Sequence, residues 1–135
     1  MPDVVQAYFD AFNAKDIPAM LACLTEDVAH HVNEGTVRIG KQAFEDFCAH
    51  MSRCYDEELT DMVLFEAPEH GRAAAEYVVN GTYLSTDDGL PEATGQRYRL
   101  SAGSFFDLRD GKISRVTTRY NLSDWIAQVS GPDAT

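Results

Sequence analysis

QRYRLSAGSFFDLRDGKISRVTTRYN, residues 96–121, is the stretch that sets the architecture. Tyr98, Leu100, Ala102, Ser104, Phe106 and Leu108 fall on alternate positions and are mostly apolar, the period of a strand with one buried face. Asp110 and Gly111 then interrupt the run, and this pair favours the positive backbone φ of a two-residue hairpin turn. Beyond it, Val116, Thr118 and Tyr120 again share one face. Two long antiparallel strands are therefore predicted. Upstream, ELTDMVLFEA (58–67), a turn at Pro68 to Gly71, and RAAAEYVVNGTYLST (72–86) read as two more strands. Tyr77, Val79 and Tyr83 fall on the inner face of the second. Gly81 and Gly103 mark places where a bulge would fit. The polar segment DDGLPEATG (87–95) reads as a connection.

The first third is different. Asp3 can cap a helix, with Gln6 three positions later, and Val5, Tyr8, Phe9 and Phe12 then recur at helical spacing. Asp16 caps a second short helix carrying Met20, Leu21 and Leu24, with Pro18 tolerated in its first turn. Val28 to Glu34 reads as a strand, and Gly35 and Gly40 bracket a second small one, TVRI. Phe44, Phe47, Cys48, Met51 and Tyr55 predict a third helix from about Lys41 to Cys54. LSDWIAQV (122–129) predicts a closing helix capped by Ser123. Helices followed by long antiparallel strands describe an α+β domain, helices on one face of a curved sheet. It is expected to span 1–130, with 131–135 a loose tail.

Composition limits the partners. A chain of 135 residues, 44% hydrophobic and 24% charged, suits one globular domain. No apolar run approaches the roughly 18 residues of a membrane span, and no basic start precedes an apolar stretch, so neither a membrane segment nor a signal peptide is predicted. The three cysteines are odd in number and lack CxxC spacing. They are expected to be reduced thiols in a cytoplasmic protein. A net charge of -11 repels phosphate backbones and anionic headgroups, which argues against nucleic acid or membrane partners.

VVQAYFDAFNAKDIPAMLACLTEDV (4–28) resembles the first two helices of ketosteroid isomerases and SnoaL-like polyketide cyclases, members of the nuclear-transport-factor-2-like superfamily. The likeness continues through GTYLSTDDGLP, the RDGK hairpin and RVTTRYNLSDWI, and so covers nearly the whole chain. It is greatest to ketosteroid isomerase-related proteins. The resemblance implies a conical fold, three N-terminal helices packed on a strongly curved, mixed but largely antiparallel sheet that encloses a pocket. It also implies a homodimer joined through the outer sheet face, where Glu76, Val78, Asn80 and Thr82 alternate. Tyr8 matches the family's helix-one tyrosine, an oxyanion donor. The family's general-base aspartate aligns with Val32, its second oxyanion donor with Ser104, and the cyclase aspartate falls near Thr118. Steroid isomerisation by the usual acids is therefore not expected.

The stretch DVAHHVNEG (27–35) supplies other candidates. If Val32 faces the pocket, strand parity turns His30 and Glu34 the same way and His31 and Asn33 outward. The predicted pocket gathers Tyr8, His30, Glu34, Tyr55, Tyr77, Tyr98, Ser104, Thr118 and Tyr120. His30 is the candidate general base, since imidazole titrates near neutral pH, and Glu34 its orienting group or itself the base. Tyr8 is the candidate electrophilic donor, and the remaining phenols and hydroxyls are substrate contacts. Each residue also has a plainer role, in core packing, a turn into Gly35, or local hydrogen bonding. Arg97, Arg99, Arg115 and Arg119 have outward parity and suit ion pairs.

No metal or nucleotide is predicted. His30 and His31 point to opposite strand faces, His50 lies on a helix and His70 in a turn without pairing at i,i+2 or i,i+4, and no HxH, HExxH, CxxC, GxGxxG or P-loop motif occurs. Cys48 reads as inert packing. The expected function is a cofactor-independent enzyme of isomerase, cyclase or lyase type. It would abstract a proton beside a carbonyl of a hydrophobic small molecule. A non-catalytic binding protein and a dimeric interaction module are the alternatives on the same fold.

Overall fold

The computed structural model describes residues 3–130; the predicted side-chain cap at Asp3 and the tail at 131–135 lie outside the described part. In chain order the elements are α1 (Asp3–Asn13), α2 (Ile17–Ala22), β1 (Leu24–Val32), β2 (Arg38–Ile39), α3 (Lys41–Cys54), β3 (Tyr55–Ala67), a 3₁₀ turn (Pro68–His70), β4 (Arg72–Tyr83), β5 (Arg97–Arg109), β6 (Lys112–Tyr120) and α4 (Leu122–Ser130). The strands form one mixed sheet in the order β2-β1-β6-β5-β4-β3. Only β1 and β6 run parallel; every other pair is antiparallel. The curved sheet carries the helices on its inner face, the expected α+β architecture. No helix among the described residues is long and apolar enough to cross a membrane.

The β5–β6 hairpin closes as expected on Asp110 (φ 54) and Gly111 (φ 78), with Arg109 opposite Lys112. Inner-face parity also holds along β5: Tyr98, Leu100, Ala102, Ser104 and Phe106 are all buried. From α1, Tyr8 and Phe9 meet the Phe106 ring edge-on at centroid distances of 5.9 and 5.7 Å. That contact seats the first helix on the sheet.

Four local expectations need correction. Leu24 leaves the second helix, which ends at Ala22, and opens β1 as a fully buried residue. β1 stops at Val32, because Asn33 adopts φ 51 and breaks the strand. The cap of α4 is Asn121, whose Oδ1 accepts the Asp124 amide at 3.0 Å, and not Ser123. The bulges lie between Leu24 and Ala29, between Thr60 and Val63, and between Asp107 and Leu108, while register runs unbroken past Gly81 and Gly103.

Gly81 has a packing reason instead. It sits opposite Tyr98 in the β4–β5 ladder, and a Cβ there would overlap the Tyr98 ring. The ring is thereby laid across the sheet toward β3. Gly81→Ala should lower stability by about 1–3 kcal/mol, the usual range for overpacking. Urea denaturation checks this; an unchanged midpoint would contradict the close approach.

Candidate functional site

A cavity of about 380 Å³ lies between the helices and the inner face of the sheet. Its deeper wall is aromatic and aliphatic, with Phe9, Phe44, Leu59, Val79 and Leu100 among the lining residues. Against that wall stand a few polar groups from separate elements.

β1 contributes His30. Its ring is only 4% exposed and packs against Phe44 and Phe47, with centroids 4.6 and 4.7 Å away. Nδ1 is buried without a hydrogen-bond partner among the described residues. Burial foremost, then the charges of Arg38 and His31, lower its pKa to about 4, so the ring is neutral at neutral pH. Arg38 itself lies over the Phe47 ring, 4.7 Å from its centroid.

β3 contributes Tyr55 and Glu57, which line the cavity on the same strand parity as buried Leu59. The Glu57 carboxylate accepts a 2.5 Å hydrogen bond from Tyr98 Oη. Burial raises its pKa above the ordinary carboxylate value, against the lowering effects of the Tyr98 bond and the Lys15 charge. The Lys15 ammonium is held by the Glu57 backbone carbonyl at 2.7 Å and by Asp56 at 3.0 Å.

The central strands supply a hydroxyl chain. Tyr77 Oη and Ser104 Oγ are 2.6 Å apart, and Ser104 Oγ is 3.1 Å from Thr118 Oγ1. Tyr8 lines the cavity, and its hydroxyl has no hydrogen-bond partner among the described residues. Burial drives its pKa well up, so it stays a neutral donor. Burial likewise pushes the Cys48 thiol up to about 11, which suits packing and not attack.

A fourth polar group sits at the rim. Asp87, on the loop after β4, accepts from Tyr55 Oη at 2.7 Å through one oxygen and lies 2.9 Å from His50 Nε2 through the other. Its backbone amide donates to Tyr83 Oη at 2.9 Å. His50, Cys54 and Asp87 each offer one donor atom, all within 4.8 Å of one another.

Of the expected pocket residues, Tyr8, His30, Tyr55, Tyr77, Ser104, Thr118 and Tyr120 line the cavity. Tyr98 does not line it directly and reaches it through Glu57. Glu34 is displaced: it lies exposed in the turn after β1, away from the cavity, because Asn33 at positive φ ends the strand at Val32, two residues earlier. Asn33 ties that turn to β6, its amide donating to Thr118 O at 2.8 Å and its Oδ1 accepting from the Tyr120 amide at 2.9 Å. Val32 also borders the cavity.

Glu57, Asp87 and His50 were missed from sequence. Glu57 carried a signal, since Tyr55, Glu57 and Leu59 alternate, but the strand was expected to begin only at Glu58. Asp87 lay in a segment read as a plain connection. For His50 the pairing at i+4 exists, with Cys54 as its partner, where a motif built on histidine pairs does not register it.

Comparison with known proteins follows the same lines. The SnoaL-like domain family matches residues 5–116. A provisionally named polyketide cyclase from Silicibacter sp. tm1040 is 71% identical, with a TM-score of 0.93 over 96% of this chain and 94% of that one. Another, from Xanthomonas campestris pv. campestris, is 55% identical, with a TM-score of 0.91 over 95% of each chain. A Catenulispora acidiphila protein of ketosteroid isomerase-like fold, in complex with trimethylamine, is 18% identical. Its TM-score is 0.79 over 100% of this chain and 98% of that one, a likeness of fold alone. No match was found among the curated proteins. With 5–116 matched and the sheet, helices and cavity in place, the chain belongs to the SnoaL-like domain family.

Proposed function

We propose that the cavity transfers protons at a carbon beside a carbonyl, in a cyclisation, isomerisation or elimination of a flat, largely apolar small molecule. The observation that supports this reading is Glu57, a carboxylate set in an apolar cavity. Burial raises its pKa, which makes the ionised form a stronger base than an exposed glutamate. Glu57 takes the proton, and the Tyr98 hydrogen bond fixes the carboxylate's orientation. Negative charge then develops on the substrate oxygen. Tyr8, a buried neutral phenol lining the cavity, donates to it. His30, neutral and weakly basic, suits a hydrogen bond to that oxygen better than proton abstraction. Glu57 thus replaces His30 and Glu34 as the proposed base. The Tyr77–Ser104–Thr118 chain and Tyr120 are proposed substrate contacts.

The outer sheet face favours the expected homodimer. Phe65, Ala74 and Phe105 are register partners across β3, β4 and β5, and the two phenylalanines are 51% and 45% exposed. Val63 extends this row, 49% exposed. A second copy covering it would remove this apolar surface from water.

Exchange of α-hydrogens for deuterium in a panel of enolisable aromatic ketones, followed by NMR, tests the chemistry without knowledge of the product. Glu57→Gln should slow exchange by at least about 100-fold, the lower end for a lost general base. The wild-type rate should rise with pH through a value above the ordinary carboxylate range. Unchanged exchange in the variant would exclude Glu57, and ketones that bind without exchanging would favour a binding protein.

The neutral state of His30 has its own consequence. The unfolded chain takes up this proton near pH 6.5 while the folded chain waits until about 4. Stability should therefore fall as pH drops through that window, by up to about 3 kcal/mol. Titration of the His30 ring by NMR should give a midpoint near 4; an ordinary midpoint near 6.5 would contradict its burial.

A further inference from the structure

We infer that His50, Cys54 and Asp87 form a binding site for a divalent transition-metal ion of the zinc class at the rim of the cavity. The three donor atoms already lie within 4.8 Å of one another. His50 and Cys54 are four residues apart on α3, which places them on one helix face a turn apart. Asp87 arrives from the loop after β4.

That loop is held in place and not merely near. Leu84 N donates to Cys54 O at 2.7 Å, so the chain leaving β4 is bonded to the residue that supplies the thiol. Tyr83 Oη accepts the Asp87 amide at 2.9 Å and donates to Pro91 O at 2.6 Å, clasping the loop on both sides of its turn. Tyr55 Oη donates to Asp87 Oδ2 at 2.7 Å. The other oxygen, Oδ1, faces His50 Nε2 at 2.9 Å and is left as the ligand. A ligating carboxylate anchored through its second oxygen is the usual outer-layer arrangement of metal sites.

The donor set selects the ion. One imidazole nitrogen, one sulfur and one carboxylate oxygen suit zinc and its neighbours, whereas magnesium and calcium take oxygen donors. Three protein ligands leave one tetrahedral position open, the pattern of zinc sites that exchange ligands. His50 and Asp87 both line the cavity, so an ion they held would border it with that position to fill. Its occupant would be water or an oxygen of the small molecule. The chain's net charge of -11 favours a cation there. The site shares no residue with the Glu57–Tyr98 pair, and its occupancy is read without any substrate.

Protein stripped with chelator and then dialysed is titrated with Zn²⁺ by calorimetry and with Co²⁺ by absorption spectroscopy. The expected result is one ion per chain and a near-ultraviolet sulfur-to-cobalt charge-transfer band. Cys54→Ser should abolish the band, and Cys54→Ser, His50→Gln and Asp87→Asn should each weaken zinc binding by more than about 10–100-fold, the loss typical of outer-layer partners alone. His70→Gln should bind as wild type does. Far-ultraviolet circular dichroism shows which variants fold; Asp87→Asn, on a loop, keeps the test valid if the buried Cys54 tolerates no change. Absence of binding, cobalt binding without the band, or wild-type affinity in a folded Asp87→Asn would overturn the inference.

Discussion

The hydrogen bond from Tyr98 to Glu57 joins the sheet's packing to its chemistry. A carboxylate in an apolar cavity is costly to ionise unless something donates to it. Tyr98 can donate only because its ring lies flat across β4, and the ring can lie there only because residue 81 has no side chain. β5, β4 and β3 must therefore hold their register before Glu57 has its partner. Glycine in a strand, usually a weakness, here makes room for an aromatic ring.

The cavity has two polar zones of different character. Glu57 lies on β3 and His30 on β1, with β4, β5 and β6 between them in the sheet. The intervening strands carry the Tyr77–Ser104–Thr118 hydroxyls, neutral groups that accept or donate as the ligand requires. His30, Tyr8 and these hydroxyls together offer neutral partners for a carbonyl oxygen, and Glu57 is the proposed base. The Tyr55–Asp87–His50 cluster belongs to the rim, where His50 is 40% exposed.

Much of this was legible in the chain. Alternation in 98–108, the Asp110-Gly111 turn and the helical spacing of Val5, Tyr8 and Phe9 determine the sheet and its helices by local rules. Strand parity placed Tyr77, Ser104 and Thr118 on the cavity and Tyr98 on the inner face beside it. It failed at Glu34, because a single residue at positive φ, Asn33, ended the strand and no periodicity foretells that. Glu57 escaped through a three-residue error in where β3 begins. Asp87 was not legible at all: its place is set by Tyr83 and Tyr55, contacts that only the folded chain creates.

The most direct measurement is the carboxyl carbon of Glu57, followed by NMR across pH in protein labelled at glutamate and assigned with Glu57→Gln. The account predicts a midpoint raised above that of an exposed glutamate, with a single resonance moving as Tyr98→Phe removes its partner. A midpoint at or below the ordinary carboxylate value would mean that water or a cation reaches the group, and would contradict a buried base.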